Sequence, residues 1–230
     1  MELDQIPALP FDLADMSLGE IAVRLPGATA VFHAAKLDYC CHGQARLKDA
    51  AEAAFLDLAR IIADLTKLQQ ADSGPSVDID SAALVDTIIT RYHRVHSKEL
   101  PELIRLAERV EQVQHEHPAV PAGLAVLLKR MLGELTIHMQ KEELMLFPQM
   151  RRGGRLRHHD PIMAMIAEHE EHGADLQRIR QLTRDMRTPD DGCATWRALY
   201  AGLGKFADDL VAHIHMENNI LFPSFMGNVG

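Results

Sequence analysis

The sequence predicts an all-α protein in which a small N-terminal helical domain precedes a four-helix bundle. Apolar residues make up 47% of the 230 residues, but aromatic residues make up only 5%. The apolar residues are therefore mostly aliphatic types that suit helices better than strands. Apolar positions recur at i, i+3, i+4 and i+7 along four long stretches, and no strand-like alternation of useful length is visible.

A small, polar and breaker-rich stretch, residues 71–76, predicts a linker between the two parts. We therefore expect a small helical domain with a Cys-Cys motif over residues 1–72 and the bundle over residues 80–230. In the first domain, Ser17 and Glu20 form a capping box for a short helix. Helical spacing resumes over residues 28–36, and a long Ala-rich helix is predicted at about residues 45–70.

The bundle is predicted from four amphipathic stretches. They lie near residues 80–96, 122–147, 161–187 and 193–222. The first has an alternative end near residue 116, across Pro101. Pro148 and Pro223 are expected to end the second and fourth helices, because proline lacks the donor that a helix interior needs. Turns are expected at Gly153-Gly154 and at residues 189–192.

Composition excludes several classes of protein. A formal net charge of −9 argues against a nucleic-acid surface, and the sequence contains no apolar run long enough to predict a membrane span. The first ten residues hold two acidic residues and no Lys or Arg, which does not fit a secretory signal. Three sparse cysteines, two of them the neighbours Cys40 and Cys41, do not form a disulfide framework. We expect a cytoplasmic protein.

The most informative feature is a repeated motif. His138 and Glu142 are spaced as His-x-x-x-Glu and are followed by Leu-Phe-Pro at residues 146–148. His213 and Glu217 repeat this pattern later in the chain, and Leu-Phe-Pro follows at the same distance from the Glu. On a helix, positions i and i+4 share one face, with Cβ atoms about 5–6 Å apart. Each copy therefore points an imidazole and a carboxylate in the same direction.

The repeat includes the other two helices of the bundle. His93-x-x-His96 matches His169-x-x-His172, and the offset between these two motifs is nearly the same as that between the two His-x-x-x-Glu motifs. Residues 80–150 and 156–226 therefore resemble two copies of a helical hairpin. Two such hairpins make a four-helix bundle, and facing helices of a bundle commonly build metal sites.

This pattern predicts a dinuclear metal site with one His from each of the four bundle helices and one Glu from each of the second and fourth. The predicted ligands are His93, His138, Glu142, His169, His213 and Glu217. This set exceeds what one tetrahedral zinc ion takes up, and without thiolates it suits iron or manganese. We expect the His pair of each hairpin to bind one ion and the two Glu to bridge. One His-x-x-x-Glu alone would be weak evidence, because such a pair commonly lies on a solvated helix face.

Other polar residues near these positions have two interpretations each. His96, His172 and His215 could donate to the ligands, but exposed positions are favoured for them. Glu134 and Glu168 could line the pocket as proton donors or acceptors, with a salt-bridged helix face as the favoured alternative.

Together these motifs resemble the iron–sulfur cluster repair di-iron proteins, a family also called Repair of Iron Centers. The resemblance spans about residues 17–225. It is carried by Asp38-Tyr39-Cys40-Cys41-His42-Gly43, Arg91-Tyr92-His93, Leu100-Pro101-Glu102-Leu103, His138-x-x-x-Glu142-Glu143, Glu168-His169-Glu170 and His213-x-x-x-Glu217-Asn218-Asn219, with both Leu-Phe-Pro segments.

The resemblance implies a hemerythrin-like bundle with two non-haem iron ions, which the six predicted ligands bind and which the two glutamates and an oxo group bridge. It implies repair of iron–sulfur clusters damaged by nitric oxide or oxidants, as part of a stress response. The implied partners are damaged iron–sulfur proteins and small ligands such as nitric oxide or dioxygen, with no nucleic acid and no membrane. A homodimer is left open.

Three functional hypotheses follow. In the first, a di-iron repair protein delivers iron or carries out redox chemistry on nitric oxide or nitrite, and Cys40 and Cys41 act as a thiol site. An inert loop is the alternative for the two cysteines. In the second, the bundle is a carrier or sensor that binds dioxygen or nitric oxide reversibly. In the third, it holds zinc or no metal and serves as an interaction module.

Overall fold

The computed structural model describes residues 12–69, 80–152 and 159–226. The chain divides into two compact units between Asp78 and Ile79. The described residues form helices joined by turns, and they include no β-strand, so the predicted all-α class is confirmed. The expected linker at residues 71–76 and the expected turn at Gly153-Gly154 lie outside the described residues.

The N-terminal unit contains four short helices. They are α1 (Leu18–Arg24), α2 (Ala28–Ala34), α3 (Leu47–Ala53) and α4 (Leu58–Gln69). The predicted cap of α1 is confirmed, because Ser17 Oγ accepts a hydrogen bond from the Glu20 N–H at 3.2 Å. Ile21, Phe32 and Leu47 are completely buried and form the centre of this unit's core.

The prediction of one long helix over residues 45–70 was wrong, because the structure divides this stretch into α3 and α4. Phe55 adopts a left-handed conformation with φ of 54°, which ends α3. Asp57 then accepts a hydrogen bond from the Arg60 N–H at 3.2 Å and starts α4. The Ala-rich composition favours helix on both sides of this break and therefore hides it.

The second unit is a bundle in which three helices contain π-helical turns. Its α-helices are α5 (Ser81–Thr87), α6 (Arg94–Val113), α7 (Leu124–Lys141), α8 (Phe147–Arg151), α9 (Asp160–Thr183), α10 (Ala194–His215) and α11 (Pro223–Met226). The π-helical segments are Ile88–His93, Glu142–Leu146 and Met216–Leu221. Helix α6 packs against α7 and α10, while α9 packs against α7 and α10, so the four long helices enclose one interior. Pro101 lies inside α6, and the predicted turn at residues 189–192 is confirmed.

The prediction that Pro148 and Pro223 end their helices was wrong, because helical structure continues through both prolines. Before each proline the backbone bonds span five residues, and the Phe222 N–H donates to the Glu217 carbonyl at 2.8 Å. Each proline therefore lies in the first turn of a new α-helical segment, where its missing N–H is tolerated. In the part of the chain that the structure describes, no helix has both the length and the apolar character needed to cross a bilayer.

Candidate metal centre

Four histidines lie in the interior of the bundle and form two close pairs. The Nε2 atoms of His93 and His213 are 3.1 Å apart, and those of His138 and His169 are 3.0 Å apart. All four side chains are buried. Two nitrogen ligands at right angles on an ion about 2.1 Å away would be about 3.0 Å apart. Each pair thus has the spacing of two neighbouring ligands of one metal ion.

The pairs do not form within the hairpins, which corrects our expectation that each hairpin supplies the His pair of one ion. His93 of the first hairpin pairs with His213 of the second. His138 of the first hairpin, in α7, pairs with His169 of the second, in α9. The reason lies in the packing, because α6 contacts α10 as well as α7, and α9 contacts α7. Spacing along the chain does not show which neighbouring helix supplies the second imidazole.

Two glutamates lie between the pairs, and each faces both. Glu142 Oε2 lies 3.4 Å from His93 Nε2 and 3.5 Å from His138 Nε2. Glu217 directs Oε1 to His213 Nε2 and Oε2 to His169 Nε2, both at 3.1 Å. Both glutamates belong to both four-residue groups of clustered donors that surround the His pairs. This arrangement suits two carboxylates that are shared by two ions.

The π-helical turns place several of these ligands. Glu142 opens one π-helical segment, Glu217 lies in the first turn of another, and His93 ends the third. A π-helical turn inserts one residue and rotates the helix that follows it, which is why such turns are frequent at functional sites. These turns were not predicted from the sequence, although the recurrence of Leu-Phe-Pro after each Glu was a signal of a repeated irregularity.

The donor set fits a bound cation. Neither oxygen of Glu142 accepts a hydrogen bond from any described residue, although the side chain is completely buried. A buried carboxylate is costly without a positive partner. Burial lowers the pKa of His93, but Glu142 and Glu217 outweigh it and raise that pKa to about 10. The interior therefore attracts positive charge, and its nitrogen and oxygen donors suit iron.

Three of the four imidazoles contact a polar side chain through Nδ1, the ring nitrogen that does not face the paired histidine. His93 Nδ1 lies 2.8 Å from Glu143 Oε1, and His169 Nδ1 lies 2.8 Å from Asn218 Oδ1. His138 Nδ1 lies 2.9 Å from Glu168 Oε2. Such contacts fix the ring orientation of metal-binding histidines.

The surroundings of His213 differ from those of His138, its equivalent in the repeat. His138 contacts the carboxylate of Glu168, whereas His213 contacts the aromatic ring of Tyr92. The Nδ1 of His213 has no hydrogen-bond partner among the described residues, and the Tyr92 ring stacks on it with centroids 5.4 Å apart. Tyr92 occupies the position that corresponds to Glu168 in the repeat, since each directly precedes its matching histidine, His93 or His169. The two His pairs therefore have chemically distinct surroundings, although the donors nearest to them match.

Glu168 and Glu134, the two predicted pocket residues, have different surroundings. Glu168 contacts His138 and also accepts a hydrogen bond from Lys141 at 2.5 Å, so it orients a predicted ligand. Glu134 pairs with Arg130 at 3.3 Å and is not among the donors around either His pair. For Glu134 the structure shows the salt-bridged helix face that was favoured from sequence.

The expectation that His96, His172 and His215 are exposed was wrong, because all three are buried. His215 contacts Asn219 at 2.9 Å, whereas neither ring nitrogen of His96 or His172 has a hydrogen-bond partner among the described residues. Burial lowers the pKa of both His96 and His172 to about 3, so they are neutral. Buried water commonly satisfies such nitrogens.

The repeat also duplicates the charged residues beside these two buried histidines. Lys205 contacts Glu99 at 2.6 Å and Asp209 at 2.8 Å on the His96 side. On the His172 side, Arg130 contacts Asp175 and Glu134, which occupy the positions equivalent to Glu99 and Asp209. The two groups are His96, Glu99, Lys205 and Asp209, and His172, Asp175, Arg130 and Glu134. These groups were not predicted from the sequence, but the offset along the chain that relates the predicted ligands of the two hairpins also relates the two groups.

Cys40 and Cys41, the predicted thiol site, belong to the N-terminal unit, and neither forms a disulfide. The six predicted ligands converge in the bundle. Their role as metal ligands stays a prediction.

Comparisons with known proteins identify both units. The family described as "Hemerythrin HHE cation binding domain" matches residues 84–225, and the family described as "Domain of Unknown function (DUF542)" matches residues 14–69. The chain is 42% identical to the "Probable iron-sulfur cluster repair protein" of Haemophilus influenzae over 214 residues, which covers 91% of this chain and 96% of that protein. It is 44% identical over 215 residues to proteins of Yersinia pseudotuberculosis and Yersinia pestis named "Iron-sulfur cluster repair protein YtfE", with 92% of this chain and 97% of each relative covered.

Proposed function

This chain belongs to the hemerythrin-like iron–sulfur cluster repair family, and from that premise we propose that it is a di-iron protein that repairs iron–sulfur clusters damaged by nitrosative or oxidative stress. Its partners in this role are damaged iron–sulfur proteins. The observation that carries the proposal is the interior of the bundle, where two glutamates lie between two histidine pairs.

The residues divide between two ions. His93 and His213 would hold one, His138 and His169 would hold the other, and both glutamates would contact both. When bound, two ferrous ions supply electrons and exchangeable positions for small ligands such as nitric oxide. The carboxylates offset the positive charge of the ions, and Glu143, Glu168 and Asn218 keep the imidazoles oriented.

Iron delivery is consistent with the type of donor. The six side chains offer imidazole and carboxylate groups, and none of the described residues that cluster there offers a thiolate, which is the ligand that holds iron in clusters. The preference of iron–sulfur clusters for thiolate ligands therefore favours transfer of iron from a nitrogen and oxygen site to a damaged cluster. The surrounding apolar side chains, among them Phe147 and Phe222, limit access of water to the donors.

A repair assay tests this function. An iron–sulfur enzyme inactivated with nitric oxide is incubated with the iron-loaded protein, and recovery of its activity is followed. We expect recovery with the native protein and none with Glu217→Ala, which lacks one shared carboxylate. The exposed Glu170→Ala serves as the matched control and is expected to act like the native protein. Equal recovery with the iron-free protein would contradict the proposal.

The hemerythrin match also favours a second function, reversible binding of dioxygen or nitric oxide. The number of buried histidines around the glutamates argues against a stable dioxygen complex, because an oxygen carrier uses five and four converge here. Exposure of the reduced protein to air decides between the two. Prompt oxidation that cannot be reversed by removing oxygen supports repair, whereas a reversible spectral change supports a carrier.

A further inference from the structure

A second group of metal-binding side chains lies in the N-terminal unit, in the turn between α2 and α3. Asp38, Cys40 and Cys41 each offer a donor atom, and these three atoms lie within 4.8 Å of one another. The two Sγ atoms are 3.6 Å apart, and Cys40 Sγ lies 3.2 Å from Asp38 Oδ1. The two neighbouring cysteines thus place both sulfur atoms within 4.8 Å of the same carboxylate.

These distances fit ligands of a tetrahedral ion. With metal–sulfur bonds of about 2.3 Å and metal–oxygen bonds of about 2.1 Å, two sulfurs would be about 3.8 Å apart, and a sulfur and an oxygen about 3.6 Å. The Sγ–Sγ distance and the distance from Cys40 Sγ to Asp38 Oδ1 differ from these values by a few tenths of an ångström, and Cys41 Sγ lies within 4.8 Å of the carboxylate. Small rotations of the side chains would therefore suffice to bind an ion.

The turn holds Asp38 in place for this role. Its Oδ1 accepts a hydrogen bond from the Cys41 N–H at 3.0 Å, and its Oδ2 lies 2.8 Å from His42 Nδ1. The Gly19 N–H donates to the Gly43 carbonyl at 2.7 Å, which ties the end of the turn to α1. A ligand carboxylate with such support is typical of a metal site.

The charges of the group favour a cation. Cys40 is buried, and the three donor atoms lie within 4.8 Å of one another, so their negatively charged forms would repel one another without a positive partner. A divalent ion removes this obstacle, because a coordinating thiol is deprotonated.

We propose that Asp38, Cys40 and Cys41 form an exchangeable binding site for a thiophilic divalent metal ion of the zinc and ferrous class. The three protein donors leave the fourth position of a tetrahedral ion to water or to an incoming ligand, which is a property of reactive rather than structural sites. His42 is a positioning residue, because it contacts the oxygen of Asp38 that does not face Cys40.

Binding involves no change of oxidation state. Two thiols each lose a proton, two metal–sulfur bonds form, and the carboxylate adds a metal–oxygen bond, so two protons enter the solvent for each ion. The inference does not rest on cluster repair, since it concerns donors of the N-terminal unit alone.

Cobalt(II) is the probe, because a cobalt–thiolate bond gives a charge-transfer band in the near ultraviolet. The iron-loaded, full-length protein is titrated without oxygen in a phosphine reductant, which adds no thiolate. We expect a band that saturates at about one cobalt per chain, with release of about two protons. The donors predicted in the bundle cannot produce this band, because they include no sulfur.

Variants assign the band to the site. Cys41→Ser is expected to abolish it, while the matched change Cys193→Ser, at the third cysteine, leaves it intact. His42→Ala is expected to weaken cobalt binding by about 10- to 100-fold without removing the band. Iron content and the far-ultraviolet circular dichroism spectrum of each variant show that the protein is folded. If Cys40→Ser does not fold, Cys41→Ser, at a half-buried position, decides the question.

Two results would overturn the proposal. One is a titration in which the native protein gives no thiolate band. The other is a band that persists in folded Cys41→Ser, or that disappears in Cys193→Ser. A failure of cluster repair leaves these readouts unchanged, so the two proposals can fail separately.

Discussion

His93 and His213 lie far apart in the chain, yet their Nε2 atoms are 3.1 Å apart in the interior of the bundle. They belong to different hairpins of the repeat. The equivalent pair, His138 and His169, also joins the two hairpins, with 3.0 Å between its Nε2 atoms. Each predicted ion position therefore depends on both copies of the repeat.

This pairing predicts how iron content responds to double substitutions. Replacing both His93 and His213 by Ala removes the imidazoles of one position only, so we expect about one iron per chain to remain. Replacing both His93 and His138 affects both positions, so we expect less iron than in the first variant. Metal analysis of protein produced with excess iron provides the measurement. If the variant that lacks His93 and His138 retained as much iron as the variant that lacks His93 and His213, the assignment of pairs would be wrong.

A second prediction concerns Glu168, which lies behind His138. Glu168→Gln keeps the size of the side chain but weakens the contact with Nδ1 and with Lys141. We expect iron affinity to fall by about 10- to 100-fold, as is typical when the outer partner of a ligand is changed. Competition with a chelator measures this change. The exposed Glu170→Gln is the matched control, and an equal loss of affinity in both variants would contradict a specific role for Glu168.

A third prediction concerns packing around the centre. The Phe222 ring is completely buried and lies parallel to the His169 ring, with an interplanar angle of 5°. Phe222→Ala should reduce the free energy of unfolding by about 3–5 kcal/mol. The exposed Leu144→Ala should change it by less than about 0.5 kcal/mol. Urea unfolding of the iron-free protein is the measurement, since bound iron would add its own stabilisation.

The sequence was sufficient to predict the fold class and the convergence of six donors, because both follow from periodicity. A His at each equivalent position of four amphipathic helices must face one interior if the apolar residues do. The pairing of His93 with His213 did not follow, because each helix of a bundle has two neighbours and spacing along the chain does not distinguish them.

Other features remained hidden for local reasons. The π-helical turns at Glu142 and Glu217 change the backbone pairing by one residue, which does not visibly alter the apolar pattern. The burial of His96 and His172 was missed because a polar residue is assigned to the surface by default. The break at Phe55 depends on a single left-handed residue between two stretches of high helix propensity.

The last prediction concerns the pH dependence of stability and the buried Asp209. Burial raises the pKa of Asp209, but hydrogen bonds from Arg91, at 2.7 Å and 3.1 Å, and from Lys205, at 2.8 Å, outweigh it, and the net pKa is lowered. A carboxyl group whose pKa is lower in the folded state stabilises the fold above its unfolded pKa of about 3.9. That contribution is lost as the pH falls through the folded pKa.

Asp209→Asn should therefore lower the free energy of unfolding of the iron-free protein by about 1–2 kcal/mol at pH 7, because Arg91 and Lys205 are half-exposed and the pairs are partly screened. The difference between variant and native protein should begin to shrink as the pH falls below about 4, where the unfolded chain takes up the proton, and should disappear once the pH falls below the lowered pKa of the folded state. Urea unfolding across this pH range is the measurement, with the exposed neighbour Asp208→Asn as the matched control. A difference that stays constant over the range would show that Asp209 acts through packing, because a contribution from its charge must disappear when the group is neutralised.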